Sequence, residues 1–181
     1  MNNIEKNKEY LLPVTRKHWE RTAKEAFKND PIRLMVELIK NSADNYTISD
    51  IKPPYKIWIE VYQDKQGEPP HVKVRDNAMG MSSEQIVKAL KYGAESSFEN
   101  KSVITSAEKG VGLKDVLIAM DPGHIETICN AKYNERILIL SDTAKIKEEQ
   151  KNEKASWVTR ERLKIPENGT VISGGMPDYF F

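Results

Sequence analysis

Cysteine is almost absent from this sequence: Cys129 is the one example, so the chain cannot form an internal disulfide. That usage is typical of a reducing compartment. Long apolar runs are missing as well, since none approaches the ~18 apolar residues of a membrane span. The N-terminal segment MNNIEKNKEY also lacks the apolar core of a secretion signal. We therefore expect a soluble, cytoplasmic protein with no membrane partner.

Neither positive nor negative charge is in excess: the chain has 28 Lys and Arg residues and 27 Asp and Glu residues, for a net charge of +1. This balance gives no overall signal for nucleic acid, although a local basic patch is not excluded. With 181 residues and 39% hydrophobic content, the chain can build one core, and we expect a single domain over residues 1–181. The terminal Phe180-Phe181 pair is unusual for a free tail. We therefore expect the N-terminal part of a longer protein.

The stretch from Asp30 to Asn45 is the strongest local pattern in the chain. Asp30 is a good N-cap, and Pro31 suits the first helical position, where no N–H is needed. Apolar residues repeat with the 3.6-residue period and predict the core face: Ile32, Met35, Val36, Ile39 and Ala43. Polar residues repeat on the opposite face: Glu37, Asn41 and Asp44. Such a face usually meets only water, but a carboxylate and a carboxamide one turn apart are suited to act as base and metal ligand.

Alternating apolar residues predict the strands. In Tyr55–Gln63 the alternation places one apolar set on the core side of a half-buried strand: Ile57, Ile59 and Val61. His71–Asp76 is expected to complete a hairpin, with Val72 and Val74 pointing to the core. Further strands are predicted later in the chain: His124–Asn130, Glu135–Ser141, Trp157–Thr159 and Thr170–Ser173, with Ala131–Asn134 as a hairpin turn.

Other segments are less regular. A helix is predicted from Thr15, its candidate cap, to Lys28, while Met1–Tyr10 is expected to be loose or to pack on a partner. Thr143–Lys154 is nearly all charged and predicts a solvated loop or an exposed helix end.

Two turns carry candidate ligand contacts. Asp76 closes a strand and is followed by the small residues of DNAMGM, where backbone N–H groups can meet a ligand; an ordinary strand–turn–helix is the simpler interpretation. Ser82 and Gln85 then match a capping box that starts a helix. Later, the long polar loop Tyr92–Lys109 leads into KGVGLK, where glycines open a helix and can cradle a phosphate. This loop matches neither the Walker A motif nor the Rossmann fingerprint.

Three motifs now stand in order: ELIKNSAD (Glu37–Asp44), DNAMGM (Asp76–Met81) and KGVGLK (Lys109–Lys114). A fourth, GTVI, begins at Gly169. Together they resemble the GHKL ATPase superfamily, which includes DNA gyrase B subunits, ninety-kilodalton heat-shock chaperones, histidine kinases and MutL-type repair proteins. The resemblance covers Asp30 to about Ser173, and the segment that begins YGAESS looks nearest to MORC-like and heat-shock-like members.

The resemblance implies an α/β (α+β) two-layer sandwich, the Bergerat ATP-binding fold, with helices on one face of a mixed, mainly antiparallel sheet. ATP would lie between the helices and under a lid formed by Tyr92–Lys109. Mg²⁺ is the implied cofactor, and a nucleotide-dependent homodimer is expected in the full-length protein. A downstream protein or nucleic-acid partner is not visible in the composition.

The resemblance also assigns roles to single residues. Glu37 matches the general base that activates water, and Asn41 matches the magnesium ligand. Asp76 matches the carboxylate that accepts a hydrogen bond from the adenine amino group. The other expected nucleotide contacts are Asp44, Gly80, Met81, Lys109, Gly110, Val111, Gly112, Leu113, Lys114 and Thr170. For Lys114, a solvent-exposed lysine is an equal alternative.

Two positions depart from the family pattern, because Ala78 and Ala107 stand where glycines are usual. Either alanine would be strained if its site needs a positive φ angle. Glu37 favours the hydrolytic branches over histidine kinases, and no phosphoacceptor helix is present.

The resulting hypothesis is a domain that binds Mg-ATP and hydrolyses it to ADP and phosphate as a dimerising motor. The alternative is an ATP-gated interaction module with little hydrolysis. A histidine-kinase catalytic domain and an unrelated α/β domain with chance motifs complete the possibilities.

Overall fold

A computed structural model of the chain describes residues 8–11, 16–48, 52–63, 65–66, 68–90, 112–120, 122–140 and 145–176. The helices are α1 (Arg16–Phe27), α2 (Pro31–Ile48), α3 (Ser83–Leu90), α4 (Gly112–Ala119) and α5 (Trp157–Leu163). The strands are β1 (Lys8–Leu11), β2 (Ile57–Tyr62), β3 (His71–Asp76), β4 (Gly123–Cys129), β5 (Lys132–Leu140), β6 (Lys145–Lys154) and β7 (Gly169–Gly175).

The strands form one seven-stranded sheet in the order β1-β6-β5-β4-β7-β3-β2. Each pairing between these strands is antiparallel. The last strand, β7, lies between β3 and β4, so the end of the chain enters the centre of the sheet. The predicted α+β sandwich is thereby confirmed.

Helices α1 to α4 pack on one face of the sheet around a shared apolar core. Its fully buried members include Leu34, Leu38, Val72, Ile86, Leu117, Met120 and Ile125. A smaller cluster lies on the opposite face, where Leu163 of α5 packs with Ile128, Tyr133 and Val171. The expectation that all helices share one face is therefore corrected for α5. Arg162 anchors this helix, because its guanidinium donates to the buried Glu126 carboxylate.

The predicted core face of α2 was wrong at Ile32, Val36 and Ala43, although Met35 packs partly buried against the core. The buried positions are Leu34, Leu38, Ser42 and Tyr46, which recur every four residues. Val36 is 46% exposed, and Ile32 and Ala43 are exposed as well. Two apolar stripes share this helix, and the sequence alone does not say which stripe meets the sheet. Contact with β3 and α4 selects the stripe that contains Leu38.

Strand β2 is more exposed on its apolar side than expected. Ile59 is 43% exposed and Val61 is 56% exposed, although both project toward the helix layer. β2 is the edge strand of the sheet, and the helices cover its neighbour β3 instead. Alternation predicted the strand correctly, but burial depends on what lies above it.

Three later segments differ from expectation. The charged run that was predicted as a loop or helix end contains β6, whose backbone pairs with β5 along its length. Trp157–Thr159 is the first turn of α5 and not a strand, because the Ser156 hydroxyl accepts a hydrogen bond from the Thr159 amide at 3.1 Å. Part of the N-terminal segment, Lys8–Leu11, pairs with β6 as β1.

The β4–β5 hairpin turn is shorter than predicted. Asn130 and Ala131 connect the two strands, and both have positive φ angles of 50° and 62°. A two-residue turn of this kind matches the twist of the strands it joins.

Among the described residues, no helix is both long and apolar enough to cross a bilayer.

The corrected face of α2 predicts a difference between two single truncations. Leu38→Ala removes a fully buried side chain and should lower the unfolding free energy by about 2–5 kcal/mol. Val36→Ala, two residues away on the exposed stripe, should change it by less than about 1 kcal/mol. Urea denaturation of both variants measures the difference. Equal losses would place Val36 in the core and contradict the observed packing.

Candidate functional site

Asp76 forms the centre of the candidate site at the end of β3. Its buried carboxylate accepts hydrogen bonds from three parts of the chain. The Ser42 hydroxyl donates to Oδ2 at 3.0 Å, and the amides of Ala78 and Thr170 donate to Oδ1 at 3.0 Å and 3.1 Å. Burial raises the pKa of Asp76 to about 6, and the three donors partly offset that rise. The carboxylate thus joins α2, the turn after β3 and β7.

The turn after Asp76 requires its glycine. Gly80 has a φ angle of +71°, and a Cβ at this position would lie 2.1 Å from the carbonyl oxygen of Ile128. The following amide, that of Met81, donates to the Thr127 hydroxyl at 2.8 Å. Thr127 in turn donates to the carbonyl of Gly169 at 2.9 Å. The turn is therefore fastened to β4 and to the start of β7.

Ala78, which replaces a usual glycine, does not strain this turn. Its φ angle lies outside the positive range, and its side chain is buried. Its amide makes the hydrogen bond to Asp76 described above. The concern raised by Ala78 is thereby removed, while Ala107 lies outside the described residues.

Glu37 and Asn41 lie one turn apart on α2, as predicted. The Glu37 carboxylate packs directly on the backbone of Gly112, since a Cβ there would lie 2.0 Å from Glu37 Oε1. Lys40 Nζ donates to the other oxygen at 3.3 Å. Asn41 Nδ2 is buried and has no hydrogen-bond partner in the described part of the chain. A side chain at position 112 would displace the Glu37 carboxylate from this contact.

The first turn of α4 carries two buried charges, Lys114 and Asp115. Burial lowers the pKa of Lys114, and the neighbouring Asp115 partly offsets this. Burial also raises the pKa of Asp115 to about 6; Lys114 opposes that rise, and the charge of Glu37 adds to it. Glu37 is therefore within electrostatic range of Asp115. Because Lys114 is buried, the alternative of a solvent-exposed lysine is corrected, and its phosphate role stays a prediction.

The site extends along α2. Ser42 contacts Asp76 at one end, and Glu37 contacts Gly112 at the other. Five residues separate Glu37 from Ser42, which is roughly 7–8 Å along the helix axis. Asn41 lies between these ends.

The remaining predicted residues fall into two groups. Asp44 lies partly buried on the last turns of α2, Met81 and Leu113 pack against the core, and Thr170 is buried beside Asp76. Lys109, Gly110 and Val111 lie outside the described residues, as does the expected lid Tyr92–Lys109.

Comparison with known protein families gives a match over most of the chain. The family profile described as "Histidine kinase-, DNA gyrase B-, and HSP90-like ATPase" matches residues 32–166, more than half of the chain. The chain belongs to this ATPase family. A search of curated proteins finds no match.

Solved structures of this GHKL-type fold are similar in shape and distant in sequence. The ATPase and transducer domains of DNA topoisomerase II from Balamuthia mandrillaris match with a TM-score of 0.56 and 16% identity, over 81% of this chain and 37% of that one. The ATPase region of topoisomerase II from Saccharomyces cerevisiae matches with a TM-score of 0.55 and 13% identity, over 82% and 38%. This chain thus spans less than half the length of either neighbour.

Sequence reasoning missed several residues that support the GHKL site. Ser42 and Thr127 hold the Asp76 carboxylate and the turn after it. A polar residue on the buried stripe of α2 was the available signal for Ser42, but that stripe was assigned to the wrong face. For Thr127, a threonine in a predicted strand carries no local signal.

A further group, here called the Tyr46 latch, consists of Tyr46, Lys56 and Asn77. The Tyr46 hydroxyl contacts the Asn77 side chain and donates to the Lys56 carbonyl at 2.8 Å. The Lys56 amide donates to Asn77 Oδ1 at 2.8 Å. The latch ties α2 to the residue that follows Asp76 and to the segment that precedes β2.

The pKa of Asp76 predicts a pH dependence of stability. Its value of about 6 in the folded protein lies above the ordinary 3.8, so the folded state binds this proton more tightly. The unfolding free energy should therefore fall by about 2–2.5 kcal/mol as pH rises from 4 to 7. Urea titrations of wild type and Asp76→Asn across this range measure the effect. Asp115 contributes to the pH dependence of both proteins, so the difference between the two profiles belongs to Asp76. Parallel pH profiles would contradict the assignment.

Proposed function

We propose that this domain binds Mg-ATP and hydrolyses it to ADP and phosphate. The observation that carries the proposal is the buried carboxylate of Asp76, held by three donors and joined through α2 to Glu37 and Asn41. Family membership supports ATP binding in general. The individual roles rest on the geometry of the described residues.

At one end of the site, Asp76 is suited to recognise adenine. A carboxylate offers about four lone-pair positions, and three donors from the protein occupy part of them. The remaining acceptor capacity lies on Oδ2, which receives only the Ser42 hydroxyl among the hydrogen bonds described here. An exocyclic amino group supplies the missing donor. Guanine presents a carbonyl oxygen at the corresponding place, so this acceptor discriminates between the two bases.

At the other end, Glu37 and Gly112 are suited to meet the phosphates. Gly112 begins α4, and a helix N-terminus of this length favours an anion through its unpaired N–H groups. Glu37 touches that residue and can therefore reach a water molecule beside the terminal phosphate. Contact with Lys40 holds the carboxylate in place.

The chemistry of Asn41 fits a magnesium ligand. Mg²⁺ binds oxygen, and no described residue donates a hydrogen bond to the Asn41 side-chain oxygen; the amide nitrogen is buried without a partner among the described residues as well. Mg²⁺ typically takes one or two protein oxygens together with phosphate oxygens and water, which agrees with a single carboxamide donor. When bound, the ion would neutralise charge on the phosphate oxygens.

In the proposed reaction, the Glu37 carboxylate orients a water molecule and accepts its proton. The water oxygen bonds to the terminal phosphorus while the bond from phosphorus to the bridging oxygen of ADP breaks. Positioning and charge neutralisation supply most of the rate enhancement in such reactions, and a fixed helix-borne base meets the first need. We further propose that nucleotide drives pairing of two copies in a longer protein.

Binding is tested by calorimetric titration with a non-hydrolysable ATP analogue, with and without Mg²⁺. Asp76→Asn should weaken binding by ~10²-fold or more. The asparagine side chain replaces one acceptor oxygen with an NH₂ donor, which would face the donors that now bond to the carboxylate. Asp30→Asn is the matched control, since asparagine caps α2 as well as aspartate does. Near-wild-type affinity in Asp76→Asn would refute the adenine assignment.

Hydrolysis is tested by phosphate release from ATP. Glu37→Gln should retain binding and lower turnover by ~10²–10⁴-fold, the range expected on loss of a general base. Glu25→Gln, on the exposed side of α1, should change neither quantity. Wild type that binds ATP and releases no phosphate would favour the ATP-gated interaction module instead.

A further inference from the structure

The two edges of the sheet differ in how they are protected against pairing. At one edge, β1 has the sequence KEYL, in which Lys8 and Glu9 are charged. At the other edge, β2 has the sequence IWIEVY, with Glu60 as its one charge and no proline or bulge. Charged residues, prolines and bulges are the usual protection of edge strands. Glu60 is therefore the one such feature within β2.

The free backbone groups of β2 can be assigned from the Tyr46 latch. The Lys56 amide and carbonyl both bond within the latch, toward the β3 side. Backbone direction alternates along a strand, so Ile57, Ile59 and Val61 point their N–H and C=O groups outward. No strand among the described residues pairs with this edge. Two of these residues, Ile59 and Val61, also carry exposed apolar side chains, whereas Ile57 is partly buried against the core.

Pairing with a second copy is restricted by symmetry. Two copies of an antiparallel strand are related by a two-fold axis perpendicular to the sheet, which keeps both helix layers on one side. The axis passes between one residue and the same residue of the second copy. That residue is the centre of the register. Centring on Glu60 places two glutamates opposite each other, which is destabilising. Centring on Ile59 places Glu60 opposite Trp58 and leaves Lys56 without a charged partner.

Centring on Trp58 gives the residues on both sides of it complementary partners. Ile57 then faces Ile59 of the second copy, and both have outward backbone groups, so they can exchange hydrogen bonds. Lys56 faces Glu60 of the second copy on both sides of the axis. Tyr55, which is exposed, faces Val61. Arg75 stacks on the Trp58 ring at 4.2 Å and fixes the central side chain.

We propose that β2 is a self-association edge, through which two copies of this chain join antiparallel in the Trp58-centred register. The association needs no nucleotide and is independent of the ATP site. Six-residue strands contribute fewer residues than the ~20–30 a side of a standard interface, so the association is weak.

The first experiment is sedimentation equilibrium of the chain without nucleotide, from ~10 µM to ~1 mM, the range in which weak interfaces assemble. The average mass should rise from 20.7 kDa toward that of a dimer. Ile59→Lys should weaken association by at least ~10-fold, because it places a charge against apolar Ile57. Val158→Lys, at a 65% exposed position on α5, is the matched control and should not. A monomer throughout overturns the proposal, and so do open oligomers larger than a dimer.

The second experiment tests the register by charge exchange. Lys56→Glu and Glu60→Lys should each weaken association on the order of 10-fold, because each places like charges opposite each other twice. The double exchange should restore association to near the wild-type level. Glu60→Lys also faces Lys73 within the chain, so thermal melts of each variant confirm folding. Association that single exchanges leave unchanged, or that the double exchange fails to restore, excludes this register.

Discussion

The buried carboxylate of Asp76 is the constraint on which this structure depends. An ionised group can stay in a protein interior only when donors replace the water it has lost. Here the donors come from α2, from the turn after β3 and from β7, which are far apart in sequence. All three elements must be in place before the charge is satisfied. Burial raises the pKa of Asp76 to about 6, and the three donors offset that rise only in part. A carboxylate has about four lone-pair positions, so acceptor capacity remains for one more donor.

Helix α2 connects this carboxylate to the end of the site where we propose that the phosphates bind. Its buried stripe places Leu38 in the core and Ser42 against Asp76, so packing sets the position of the polar donor. The flank of the same helix carries Glu37 and Asn41. Gly112 then allows α4 to approach Glu37 so closely that any side chain would collide with it. The separation between the two ends is therefore fixed by one rigid element, as in-line chemistry requires.

Local sequence signals predicted much of this fold. The errors arose where the burial or pairing of a segment depends on the elements packed against it. The capping box was confirmed, because Ser82 and Gln85 exchange hydrogen bonds as their spacing predicts. The strand end at Asp76 and the tight turn at Gly80 were predicted correctly because both are local features. Val36 and Ile59 are more exposed than expected because burial depends on what covers a side chain. Likewise, β6 is held by its backbone pairing with β5, which charged side chains do not reveal.

The β2 edge and the Asp76 turn share the Tyr46 latch. Lys56 precedes β2, Asn77 follows Asp76, and the Tyr46 hydroxyl bonds to both. Because one hydroxyl holds both segments, a shift of the segment at Lys56 would also change the contacts of the residue next to Asp76. A single side chain of α2 therefore fixes the start of the edge strand relative to the turn that follows the buried carboxylate.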